Sequence, residues 1–337
     1  MAQHTLTPRT QTGLHSPVRP AHGNLAVVTH GLTKTFGKGA DARTVVSDLD
    51  LAVPHGTVYG FLGPNGSGKS TTMKMVLGLL APTRGDVALL GQPLTRVTRP
   101  ALMARTGSMI EHPPGYGHLT GAENMRIVAR MLSLSQAQVD RALALVRLSE
   151  HKDRQVRTYS LGMKQRLGIA MALAREPELL VLDEPTNGLD PAGIEEVRHL
   201  LVSLAGEGVT VMVSSHLLDE IDRMASVLGV LASGRLVFQG TRAALMERSL
   251  ADLRVVTPDV DTLSGEEVGR LLAGLVAAPG EARRSSDGLV VPGLPADGAA
   301  ELVRRLVAAG VAVHEVRREP QSLEDVFMSL TGGTGVL

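Results

Sequence analysis

The sequence has no cysteine and no tryptophan, and only three tyrosines and four phenylalanines among 337 residues. Without cysteine there is no disulfide and no thiolate-held zinc or iron–sulfur centre, which suits a reducing compartment without requiring one. With so few rings the core must be aliphatic, and a nucleic-acid platform built on base stacking is disfavoured. Net charge is missing too. The 34 Lys plus Arg balance 34 Asp plus Glu, so no global field draws the chain to nucleic acid or an anionic membrane. Nor does any apolar run approach the ~20 residues that a membrane-spanning helix needs. The strongest runs, Leu179–Leu182 and Val209–Val213, have the length of strands. Residues 1–24 are polar and rich in Pro, Thr and His, without the apolar centre of a signal peptide. They are expected to be a flexible tail on a soluble, unsecreted chain.

What is present alternates. From Leu25 to about Gly240, short β-branched runs and helical stretches follow one another, the pattern of an α/β domain with a largely parallel sheet. Val58–Leu62, Leu179–Leu182 and Thr210–Ser214 are expected strands, and a broken helical region is expected from about Ala122 to Ala174. Beyond residue 243 a smaller α/β unit is expected. SGEE at Ser264 is a capping box opening a helix that carries Leu271, Leu272, Leu275 and Val276. Leu289–Val291 and Val311–Val316 are expected strands, Ala299–Ala309 an expected helix, and SLED at Ser322 the cap of another. This unit carries no catalytic constellation.

The chemistry begins with GPNGSGKST, comprising Gly63, Pro64, Asn65, Gly66, Ser67, Gly68, Lys69, Ser70 and Thr71. It follows the strand Val58–Leu62 and precedes a helix expected over Thr72–Leu80. That context turns a glycine-rich turn into a phosphate loop. The glycines let successive N–H groups face phosphate oxygens, Lys69 reaches the β- and γ-phosphates, and the Ser70 hydroxyl is a Mg²⁺ ligand. In LLVLDEPTNGLD, a buried strand delivers Asp183 to its C-terminal end, beside the phosphate loop in this class of sheet, as the Mg²⁺-side carboxylate. Glu184 follows, placed to act as general base on a water in line with the γ-phosphate. Alone, such an Asp-Glu pair is often only a helix cap. In YSLGMKQRLGIAMALA, Ser160 and Gly162 open a helix, which alone would be an ordinary N-cap. His216, past the strand Thr210–Ser214, can donate to a γ-phosphate or hold an attacking water, though a lone His is more often structural.

With these motifs together, the chain resembles the nucleotide-binding subunit of an ATP-binding cassette (ABC) transporter over about Val27–Gly240. The resemblance implies a P-loop NTPase fold, a mixed sheet core plus a helical subdomain at about 112–175 within an ATPase domain at 25–243. A small α/β accessory domain, 244–337, would follow. It implies ATP and Mg²⁺ as cofactors. Ser160, Leu161, Gly162, Met163 and Lys164 look like the signature motif, acting on the ATP of a partner subunit. Asp190 belongs to the D-loop, and Phe36 in KTFG stands where the family stacks an aromatic on adenine. Leu161, Met163 and Lys164 depart from the usual signature residues. The implied partners are a second ATP-binding subunit, with a homodimer as the expected form, and a separate membrane permease; no nucleic acid is implied. The chain would then sit at the cytoplasmic face of the membrane.

One acid remains. MIEHPPGYG sets Glu111 before a turn, since residues preceding proline avoid helical geometry and His112 and Pro113 should be extended or turning. An isolated loop Glu is ordinarily a solvated charge. The family usually has Gln here, reaching Mg²⁺ and the attacking water, so Glu111 is expected as a metal-side variant of that residue. A Glu at this place with the following LTGAEN resembles exporters of peptide antibiotics such as lantibiotics and bacitracin. VRREPQSLEDVFMSLTG resembles the accessory unit of drug exporters. The expected function is ATP hydrolysis driving export of a drug or peptide antibiotic. The alternatives are an importer ATPase or a soluble cassette ATPase acting on ribosome or DNA.

Overall fold

The computed structural model describes residues 24–111, 113–247, 251–260, 264–275 and 282–331. The tail up to residue 23, His112 and Val276 lie outside them. The central sheet has six strands, in the order Arg235–Gly240, Val227–Ala232, Val58–Leu62, Thr210–Ser215, Leu179–Asp183 and Thr106–Met109. All neighbours are parallel except the Val227–Ala232 and Arg235–Gly240 pair. Val58–Leu62, Leu179–Asp183 and Thr210–Ser215 are buried at every position, as strands covered on both faces must be.

The period-2 alternation of these strands sorts residues into two cores. Val58, Leu62, Leu180, Leu182, Val211 and Val213 face one core with the helices Leu161–Leu173 and Pro191–Gly206. Tyr59, Phe61, Leu179, Val181 and Met212 face the other. That second core is closed by the phosphate-loop helix and an antiparallel sheet built on Leu25–Phe36, which pairs with Arg43–Leu49, Ala52–Pro54 and Arg84–Leu89. On the first side stand the helices Gly121–Leu132 and Gln136–Leu145. Each opens on a capping box, at Thr120 and Ser135.

The phosphate-loop helix spans Lys69–Val76, not Thr72–Leu80. It starts at once because Gly68 takes the left-handed conformation (φ 106°), and Gly78 (φ 64°) turns the chain just past its end. The strand Thr210–Ser215 also lies between the phosphate-loop strand and Leu179–Asp183, so the latter is a next-but-one neighbour of the phosphate loop rather than its direct companion.

Residues 252–319 form a β-α-β-β-α-β unit with strand order Arg283–Ser285, Gly288–Val291, Asp252–Val256, Glu315–Glu319, each neighbour antiparallel, the ferredoxin-like arrangement. Its helices, Gly265–Leu272 and Ala296–Ala308, cover Leu253, Val255, Leu289 and Val291 on one face. The last strand is Glu315–Glu319 and not Val311–Val316. Pairing sets Val316 opposite Val255, so residues 311–314 cross from helix to sheet with Val311 buried on the way. The helix Leu323–Thr331 does not join this core: its Val326 and Phe327 pack into the larger helical core beside Leu228, Val230 and Phe238. No helix among the described residues is long and apolar enough to cross a membrane.

Candidate functional site

A cavity of about 350 Å³ opens at the C-terminal end of the central strands. Its walls include Asn65, Gly66, Ser67, Gly68, Lys69, Ser70 and Thr71 from the loop and helix start. Asp183, Glu184 and Asn187 enter from one strand end, His216 from another, Glu111 from a third, and Val45 from the antiparallel sheet. The loop hugs its support. A Cβ on Gly63 would stand 2.3 Å from the Leu231 carbonyl oxygen, so any side chain there would push the loop off the sheet. Ser67 is buried and its Oγ has no hydrogen-bond partner among the described residues, an orphaned donor that an anion in the cavity would satisfy. With the N-terminus of an eight-residue helix behind it, the cavity is suited to phosphate.

Lys69 is 6 % exposed and crosses the cavity floor. It donates to the Gly63 carbonyl at 2.7 Å and stands 3.6 Å from Glu184 Oε1. Burial lowers its pKa from that of an ordinary lysine, while Glu184 and Asp183 pull it back up. Glu184 is held on its other oxygen by His216 Nδ1 at 2.6 Å. Glu184 also sits in left-handed backbone (φ 50°), a strain its surroundings must support. The support is Ser214, in register opposite Asp183. The Ser214 hydroxyl donates to Asp183 Oδ1 at 2.5 Å and accepts from the Glu184 N–H at 3.0 Å. Thr186 and Ser215 both donate to Glu220 Oε2, at 2.5 and 3.2 Å, tying the loop after Glu184 to the loop that carries His216. Ser214, Glu220 and Val45 carry no motif of their own. Only knowing which strands are neighbours would have singled them out.

An ABC transporter family profile matches residues 46–187. A bacitracin transport ATP-binding protein of Enterococcus faecalis is 39 % identical over 92 % of this chain and 97 % of its own length. The chain belongs to the ATP-binding proteins of ABC transporters. A lantibiotic transport ATP-binding protein of Streptococcus pyogenes is 42 % identical over 62 % of this chain and 87 % of its own. A solved ATP-binding subunit of an ABC transporter superposes with TM-score 0.58 at 29 % identity, over 66 % of this chain and 92 % of that one. A dimeric cassette bound to ADP and Pi, at 24 % identity, shares the fold with TM-score 0.59 over 64 % and 98 % of the two chains. The chain is therefore an ABC ATPase, an enzyme that binds ATP.

Other expected ABC residues lie elsewhere. Ser160, Leu161 and Gly162 line a separate cavity of about 400 Å³ with Gly188, Leu189 and Asp190, away from the phosphate loop of the same chain. Ser160 caps its helix by accepting from the Met163 N–H at 3.2 Å, and Asp190 caps another by accepting from Gly193 at 3.1 Å. The ordinary capping role is thus real for both. Met163 is nearly buried in the helical core, and Lys164 stands half-buried beside it. Phe36 is 44 % exposed at the end of its strand, under the Lys34 ammonium, outside the cavity lining. Glu111 does line the cavity, also in left-handed backbone (φ 70°).

Proposed function

We propose that this ABC ATPase hydrolyses ATP with Glu184 as general base and couples the reaction to export of a drug or peptide antibiotic through a separate permease. The observation that carries the catalytic part is the Glu184 carboxylate, held between Lys69 and His216 across the cavity from the phosphate loop. A triphosphate entering the loop offers Lys69 better partners than the Gly63 carbonyl and frees one Glu184 oxygen. A water between that oxygen and the γ-phosphorus loses a proton to Glu184 as its oxygen bonds to phosphorus. The bond from phosphorus to the bridging oxygen breaks, and ADP and phosphate result. His216 orients Glu184 and the outgoing phosphate.

The donor set suits Mg²⁺: the Ser70 hydroxyl, the Asp183 oxygen not taken by Ser214, and Glu111 are hard oxygen ligands on one cavity. Among the described residues no group of three or more His, Cys, Asp or Glu forms a dedicated metal cage. Mg²⁺ would neutralise charge on the β- and γ-phosphates.

The signature cavity, apart from the phosphate loop, supports pairing with a second cassette whose ATP Ser160, Leu161, Gly162 and Lys164 would meet. Relatives named for bacitracin and lantibiotic transport support a peptide antibiotic as cargo, with the cassette at the cytoplasmic face of the membrane. The test is Glu184→Gln. ATP binding should persist while hydrolysis falls by roughly 100-fold or more, and cells expressing the chain with its permease should lose their resistance to the exported peptide. Turnover at the wild-type rate would remove Glu184 from the role of base.

A further inference from the structure

The cavity has an imbalance of charge. Among the described residues its lining carries three carboxylates, Asp183, Glu184 and Glu111, and a single lysine or arginine, Lys69, which is already paired with Glu184. That leaves two carboxylates, Asp183 and Glu111, facing a fourfold-charged nucleotide without a cation in the lining. The third carboxylate has a counterion behind it. Lys74 Nζ makes a short charge-assisted contact with Glu111 Oε1, and Lys74 itself is outside the lining. Lys74 lies on the phosphate-loop helix, four residues after Ser70 and hence on the same face, one turn further from the phosphates. The helix that presents Ser70 thus also grips the acid from the far side.

Resting on the reading of the cavity as an ATP site, we infer that Lys74 is the positioning residue that makes a glutamate tolerable at 111. It cancels the charge of Glu111 toward the nucleotide and holds the left-handed turn at Glu111 against the wall. The pair is partly wet, with Lys74 33 % and Glu111 59 % exposed, so its worth as a stabilising ion pair is small. Its effect is on the field that the phosphates meet, and that effect is screened by salt.

The test measures the affinity of a fluorescent ATP analogue without metal and without turnover, in EDTA, for the full chain and its variants. Lys74→Gln should weaken binding about fivefold in roughly 50 mM salt, the scale of one unit charge a few ångströms away in a wet site. The gap should close in roughly 0.5 M salt. Lys74→Arg should bind as wild type, and Lys74→Gln combined with Glu111→Gln should recover the affinity of Glu111→Gln alone. With Mg²⁺ present, Lys74→Gln should raise KM for ATP with kcat within about twofold. A double variant as weak as Lys74→Gln, or a Lys74→Gln chain that binds as wild type, would overturn the inference while leaving the Glu184 result standing. A wild-type chain that failed to bind the analogue would overturn both.

Discussion

The Ser214 hydroxyl donates to Asp183 across two parallel strands at 2.5 Å, and its oxygen accepts from the next residue's N–H at 3.0 Å. One buried side chain thereby fixes Asp183 and Glu184, the first through its charge and the second through its backbone. Ser214→Ala should lower ATP hydrolysis roughly 10- to 100-fold, as loss of a group that orients a metal-side ligand does. It leaves the Glu184 N–H unsatisfied, a cost of about 1–3 kcal/mol. Steady-state ATPase assays and denaturant unfolding check the two effects. Wild-type hydrolysis in the variant would mean that Asp183 and Glu184 hold their places without it.

Lys69 should make ATP binding sensitive to alkaline pH. Burial, the main cause, sets its pKa below the ordinary 10.5. In the free protein the charged ammonium is therefore disfavoured, and stability rises as pH climbs from the lowered value towards that of the unfolded chain. Phosphate requires the ammonium. ATP affinity should accordingly decline as pH rises through the lowered value, with proton uptake on binding in that window. Calorimetry in two buffers of different ionisation enthalpy measures the uptake, and Lys69→Met should abolish it.

Phe327→Ala should destabilise the protein as a core truncation does, by roughly 3–5 kcal/mol, because Phe327 is 6 % exposed within the larger core. Val316, 43 % exposed on the edge strand of the small unit, should tolerate alanine. Denaturant midpoints of the two variants make the comparison. Equal loss in both would contradict the assignment of the helix Leu323–Thr331 to the larger core.

How much of this is legible in the residues depends on where the information resides. The phosphate loop is legible because its chemistry is its backbone, and glycine spacing encodes backbone directly. Asp183 and Glu184 are legible because four apolar residues before them announce a strand end. Ser214 is not, since a serine closing a valine-rich strand has no signature until the strand is known to lie beside Leu179–Asp183. Nor is the pairing of Glu111 with Lys74, which are 37 residues apart in sequence. The register of Glu315–Glu319 also escapes a reading of alternation alone, because VAVHEV alternates equally well whichever segment pairs. Tertiary partners decide each of these.

The helix Leu323–Thr331 has a consequence for how the protein is made. Its Val326 and Phe327 complete a core whose other members begin at Val58, yet the ribosome makes them only after the whole ferredoxin-like unit. At about 5–20 residues per second of synthesis, the larger core stays unsealed for several seconds while the smaller unit is being made. The small unit is thus an insertion in topology though it looks like an appendage in sequence. A stop codon placed before it would yield an ATPase with an exposed apolar scar. Excising 252–319 and rejoining the helix is the deletion that spares the larger core.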